Sequence, residues 1–145
     1  MRTKFLENLK RKYMENRKKF EFEKNIIKII EKNIKNVGII YIFGSYAEGT
    51  ERGKSDVDIA FYSLENYSEY EIFLLAQKIS AEIKKEVDLV QLKKSSTVFQ
   101  KEVVSKGVVI FEKNHIEREK FENTVLKKYM RLNEERKKIL ENYEV

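Results

Sequence analysis

Cysteine is absent from this 145-residue sequence, which excludes disulfides and thiolate zinc sites. Proline is absent too, and no Gly/Ser-rich or Pro-rich linker or fixed-period repeat divides the chain. No stretch approaches the roughly 20 apolar residues that a membrane span needs. The opening Met1-Arg2-Thr3-Lys4-Phe5-Leu6 lacks the continuous apolar run of a secretory signal, so the expected location is cytoplasmic, away from membranes. Histidine occurs once, as His115, at an expected helix start where a surface position is the simplest reading.

What is present describes a soluble globular chain. Hydrophobic residues make up 41% and charged residues 37%, and the length suits one domain over residues 1–145. Thirty basic against 24 acidic residues leave a net charge of +6. That balance permits an anionic partner without demanding one, and nucleotide ranks well above nucleic acid as that partner.

Apolar spacing gives the order of elements. Phe5, Leu9 and Tyr13 recur every four residues, and Phe22, Ile26, Ile30 and Ile34 continue the helical pattern. The charged stretch 15–19 either separates two helices or lies on the exposed face of one. Asn36-Val37-Gly38 stops the helix, with Gly38 expected in the left-handed conformation. Residues 39–43 and 57–62 read as strands, joined by a segment that holds three of the five glycines. A helix carrying Ile72, Ala76, Ile79 and Ile83 follows, then a strand over 87–92. Ser95 or Ser96 caps a helix ending near Gly107, and 108–111 is a fourth strand. Asn114 with Glu117 forms a capping box for a last helix, whose apolar stripe runs Phe121, Val125, Tyr129, Leu132, Ile139 and Tyr143. The expected architecture is α/β or α+β: about four strands in a mixed sheet, a core over 37–112, and helical extensions over 1–36 and 113–145.

The chemistry concentrates in Gly44-Ser45, ten intervening residues, and Asp56-Val57-Asp58. Side chains alternate along a strand, so Asp56 and Asp58 share a face and stand roughly 6.5 Å apart at the backbone. Converging carboxylates repel, and a hard divalent cation with oxygen ligands resolves that conflict. Gly44 allows close approach to the backbone, and Ser45 offers a hydroxyl and an N–H to phosphate oxygens. Asp88, inside the apolar strand Val87-Asp88-Leu89-Val90, is expensive unless paired or metal-bound. If that strand lies beside the second, Asp88 completes the site as a ligand or as a base, with Glu86 as the fallback.

This run, with its Gly-Ser and Asp-x-Asp spacing, resembles the signature of the polymerase-beta-like nucleotidyltransferase superfamily and its minimal nucleotidyltransferase branch. More narrowly, the segments over 87–92 and 99–112 resemble MntA-type antitoxins, which are encoded beside HEPN-domain RNase toxins. The resemblance covers roughly 39–112. It implies a polymerase-beta-like fold with long terminal helices. It also implies AMP transfer from ATP, with magnesium (two ions), to a tyrosine hydroxyl of the HEPN toxin, in a hetero-oligomer. By motif position Gly44 and Ser45 hold the triphosphate, Asp56 and Asp58 bind metal, and Asp88 is the third acidic residue, catalytic and metal-binding. Tyr46 and Glu48 depart from relatives that carry arginine there, so Arg52 or Lys54 becomes the substitute phosphate contact. Two other functions stay open: a non-enzymatic antitoxin that neutralises by binding through its terminal helices, and transfer to a small molecule or an RNA end.

Overall fold

The computed structural model describes Arg17 and residues 19–143. The helix expected around Phe5, Leu9 and Tyr13 lies outside the described residues. Ten elements follow in order: helix α1 (Glu23–Asn33), strand β1 (Ile39–Phe43), short helix α2 (Ser45–Glu48), β2 (Val57–Tyr62), α3 (Glu69–Ile83), β3 (Val87–Gln91), a 3-10 turn (Leu92–Lys94), α4 (Thr97–Lys106), β4 (Val108–Glu112) and α5 (His115–Tyr143). The chain thus forms a mixed α/β sheet with the polymerase-beta-like nucleotidyltransferase fold.

The sheet runs β3-β2-β1-β4. β1 pairs antiparallel with both β2 and β4, while β2 and β3 are parallel, joined by α3. A parallel pair requires such a crossover. Alternation along each strand gives the sheet two covered faces. Ile40, Ile42, Val57, Ile59, Phe61 and Leu89 meet Ile26 and Ile30 of α1 and Ile72, Leu75 and Ile79 of α3. On the opposite face Ile39, Tyr41, Ala60 and Val109 meet Val103 of α4, with Phe121 of α5 packed against them. Covering on both faces explains why β1 reads as an unbroken apolar run.

Local signals behave as their chemistry demands, with three corrections. Ser68 and Glu71 form a reciprocal capping box at α3, Ser96 accepts from the Phe99 N–H at α4, and Asn114 accepts from the Glu117 N–H at α5. After α1 the left-handed residue is Asn36 (φ 51°), not Gly38, whose N–H instead donates to the Tyr62 carbonyl. Asparagine tolerates that conformation through its short polar side chain. The third strand ends at Gln91, because Leu92 turns inward and is fully buried in a 3-10 turn. The stripe on α5 packs only in its first half: Val125 is 2% exposed, whereas Ile139 and Tyr143 are 56% and 85% exposed.

Candidate active site

The end of β1 and the beginning of β2 meet by register. Phe43 lies opposite Asp58 on the antiparallel side, and Asp88 lies opposite Asp58 on the parallel side. Residues in register share a face, so Asp58 and Asp88 project together from adjacent strands, on the side covered by α4. Asp56 immediately precedes β2 and is exposed, as is Asp88 on the edge strand. Glu86 is exposed as well, and its backbone carbonyl accepts from the Val57 N–H, which ties the loop before β2 to the loop before β3.

Gly44 is fixed by two independent demands. Its φ of 71° with ψ of −148° belongs to a region only glycine occupies without strain. A Cβ built there would stand 2.1 Å from Asp58 Oδ2, so the carboxylate lies directly on the glycine backbone. Ser45 then opens α2, whose single turn closes through Glu48 N–H to Gly44 carbonyl and Thr50 N–H to Ser45 carbonyl bonds. Tyr46 anchors this turn from the other side, edge-on to Phe20 and Phe22 at ring centroid distances of 6.4 and 5.4 Å. Phe43 packs edge-on to Phe99 of α4 (5.4 Å), so a pair of rings borders the position of Asp58.

The electrostatics single out Asp58. Burial raises its carboxyl above the usual carboxylate range, and the nearby charges of Asp88 and then Asp56 push it the same way. Neither Asp56, Asp58 nor Asp88 forms a side-chain hydrogen bond or ion pair with any described residue. Asp88 and Asp56 thus act on Asp58 with no compensating cation among the described residues. This donor chemistry fits a hard divalent cation, for which carboxylate oxygens are the ordinary ligands. Among the described residues no three His, Cys, Asp or Glu side chains converge closely enough to form a metal-holding group. Glu86 is not among the charges that act on Asp58.

Arg52 and Lys54 part company. The Arg52 N–H donates to Ser55 Oγ in the turn before Asp56, while Lys54 lines a cavity with Lys84 and Lys85. Sequence reasoning missed these two lysines, which belong to the far end of α3 and carry no local signal.

It also misplaced His115. Its ring is 13% exposed and its Nδ1 lies 3.1 Å from Glu112, at the opposite end of the sheet. There Arg118 Nε donates to Glu112 and its Nη1 donates to Glu122 at 3.3 Å, while the Tyr41 hydroxyl donates to Glu122 at 2.7 Å. Burial above all, reinforced by Glu122, raises the Tyr41 hydroxyl far above its normal range, so it is a fixed donor.

Gly44 at the end of β1 thus stands against Asp58, in register with Asp88, and Ser45 follows it at the start of α2. Residues 24–116 match the family described as Polymerase beta, Nucleotidyltransferase, and the chain belongs to that family. It is 34% identical to the protein adenylyltransferase MntA of Shewanella oneidensis over 120 residues, 83% of this chain and 86% of that protein. A crystal structure of a toxin-antitoxin with AMP-PNP aligns with a TM-score of 0.76 and 33% identity, over 85% of this chain and 98% of that one. A structure of tri-AMPylated Shewanella oneidensis HEPN toxin in complex with MNT antitoxin aligns with a TM-score of 0.71 and 31% identity, over 86% and 97%.

Proposed function

We propose that this chain transfers AMP from ATP to a tyrosine hydroxyl of a partner HEPN toxin, acting as its antitoxin by adenylylation. The observation that supports the reading most is the register pairing of Asp58 with Asp88, with the Asp58 carboxylate resting on Gly44. The activity of the similar MntA points the same way. ATP lies with its triphosphate at Gly44-Ser45. The Ser45 hydroxyl donates to a phosphate oxygen, and the missing Cβ of Gly44 lets phosphate and carboxylate share one small space. Asp56 and Asp58 hold magnesium, which when bound neutralises charge on the phosphates and on the carboxylates themselves.

The partner's tyrosine oxygen attacks the α-phosphorus, forming an O–P bond as the bond to the β-phosphate bridging oxygen breaks. Pyrophosphate leaves with that electron pair. Asp88 takes the tyrosine proton, a role suited to its exposed place on the edge strand, where an acceptor can approach. The chain's contribution is positioning and electrostatic stabilisation.

A second reading has its own support. Met130, Ile139, Leu140 and Tyr143 on α5 are each more than half exposed, which suits docking and neutralisation by binding alone. Incubation of purified partner with α-labelled ATP separates the two. Label transferred by wild type and lost with Asp56→Ala/Asp58→Ala supports the enzyme. A partner silenced equally by both versions, without label, supports the binding reading.

A further inference from the structure

A cavity of about 590 Å³ opens between the loop before β2 and the end of α3. Lys54, Lys84 and Lys85 line it, with Ser55, Ser80 and a single acidic residue, Glu86. Its volume falls within the range of small-ligand sites, about 300–1,000 Å³. Its walls are fixed to each other and internally. The Val57 N–H donates to the Glu86 carbonyl at 2.9 Å, and Ser80 Oγ donates to the Lys85 carbonyl at 2.7 Å. The Lys84 N–H donates to the Ser80 carbonyl at 2.9 Å, which closes the last turn of α3.

The ammonium groups are not. Among the described residues none of the three forms an ion pair or donates a side-chain hydrogen bond. Lys85 Nζ instead stands 6.0 Å above the ring of Tyr46, the residue next to Ser45. Like charges gathered in one concavity repel, and a multivalent anion offsets that repulsion. The cavity is tied to the candidate site through chain neighbours: Ser55 in its lining directly precedes Asp56, and Tyr46 under Lys85 directly follows Ser45. α2 itself supplies no cation: its four residues are Ser45, Tyr46, Ala47 and Glu48.

We propose that Lys54, Lys84 and Lys85 form a polyphosphate site that holds the terminal phosphates of the nucleoside triphosphate and then the pyrophosphate released. The identity of the nucleotide rests on the function proposed above, while the affinity for linear polyphosphate does not. No covalent step takes place in the cavity.

The test is calorimetric binding of inorganic tripolyphosphate, a non-hydrolysable ATP analogue and AMP. The proteins are wild type, Lys84→Gln/Lys85→Gln and a charge-matched control, Lys137→Gln/Lys138→Gln. Loss of two charge-assisted contacts should weaken tripolyphosphate and the ATP analogue at least ~10-fold and leave AMP and the control unchanged. Equal affinities in wild type and the Lys84/Lys85 variant, an equal loss in the control, or no tripolyphosphate binding by wild type would overturn the site. Unchanged polyphosphate affinity with intact AMP transfer removes this site and leaves the proposed function standing. Lysine-dependent polyphosphate binding without transfer to any partner does the reverse.

Discussion

The two ends of the sheet treat their carboxylates in opposite ways. At the end where β4 stops, Glu112 and Glu122 are met by Arg118, by His115 and by the hydroxyl of Tyr41. At the other end Asp58 is partly buried beside Asp88 and Asp56, and no described side chain answers any of the three. Paired, hydrogen-bonded carboxylates are a structural device that fixes α5 to the sheet. Carboxylates collected without partners are a cost that a purely structural region has no reason to keep. The difference separates an end that holds the molecule together from the end to which the proposed chemistry is assigned.

The comparison breaks most sharply in activity. Asp58→Ala should lower AMP transfer on the order of 10³-fold if Asp58 holds the metal as proposed, since such a carboxylate supplies several kcal/mol to the transition state. Its circular dichroism spectrum should stay that of wild type. Initial rates of label incorporation check this, and a loss below about tenfold would return Asp58 to a structural role.

At the paired end the effect should fall on stability. Arg118→Ala leaves the half-buried Glu112 and Glu122 without the guanidinium and should cost about 3 kcal/mol in urea unfolding. The same variant, saturated with ATP at a temperature where it is folded, should transfer AMP at near wild-type rate.

Gly44→Ala touches both properties. The φ strain and the 2.1 Å approach to Asp58 Oδ2 together should cost about 1–3 kcal/mol and displace the carboxylate. Activity should therefore fall further than stability accounts for, as measured at a temperature well below the midpoint.

The smallest effect has an unusual sign. A folded-state pKa above the unfolded value means that Asp58 contributes stability at low pH, lost as pH rises through the raised value. Above that range the ionised group opposes folding. Asp58→Asn should therefore raise the melting temperature of the metal-free protein at neutral pH and lose that advantage in acid. Magnesium should in turn stabilise wild type and leave Asp58→Asn unmoved. A wild type that is more stable than Asp58→Asn at pH 7 without metal would contradict this.

Much of this was legible in the residues. The strands at 39–43 and 57–62 announced themselves as apolar runs, and Gly44, Ser45, Asp56 and Asp58 by spacing. The place of Asp88 beside Asp58 depended on a pairing that the sequence left conditional and the parallel register supplies. Three things had no local signal. Lys84 and Lys85 join Lys54 only because α3 returns its end to the loop before β2. Arg118 and His115 read as ordinary helix charges until β4 places Glu112 beneath them. Ile139 and Tyr143 continue a helical stripe, yet no described part of the fold reaches far enough to cover them.

The central claim is that the unpaired carboxylate end performs adenylyl transfer. Intact mass of a candidate HEPN toxin partner, co-expressed with wild type or with Asp58→Asn, addresses it most directly. The account predicts AMP adducts on the toxin with wild type alone, from two chains that are both folded and both bound to it. Adducts of equal number with Asp58→Asn, or none with either, would contradict it.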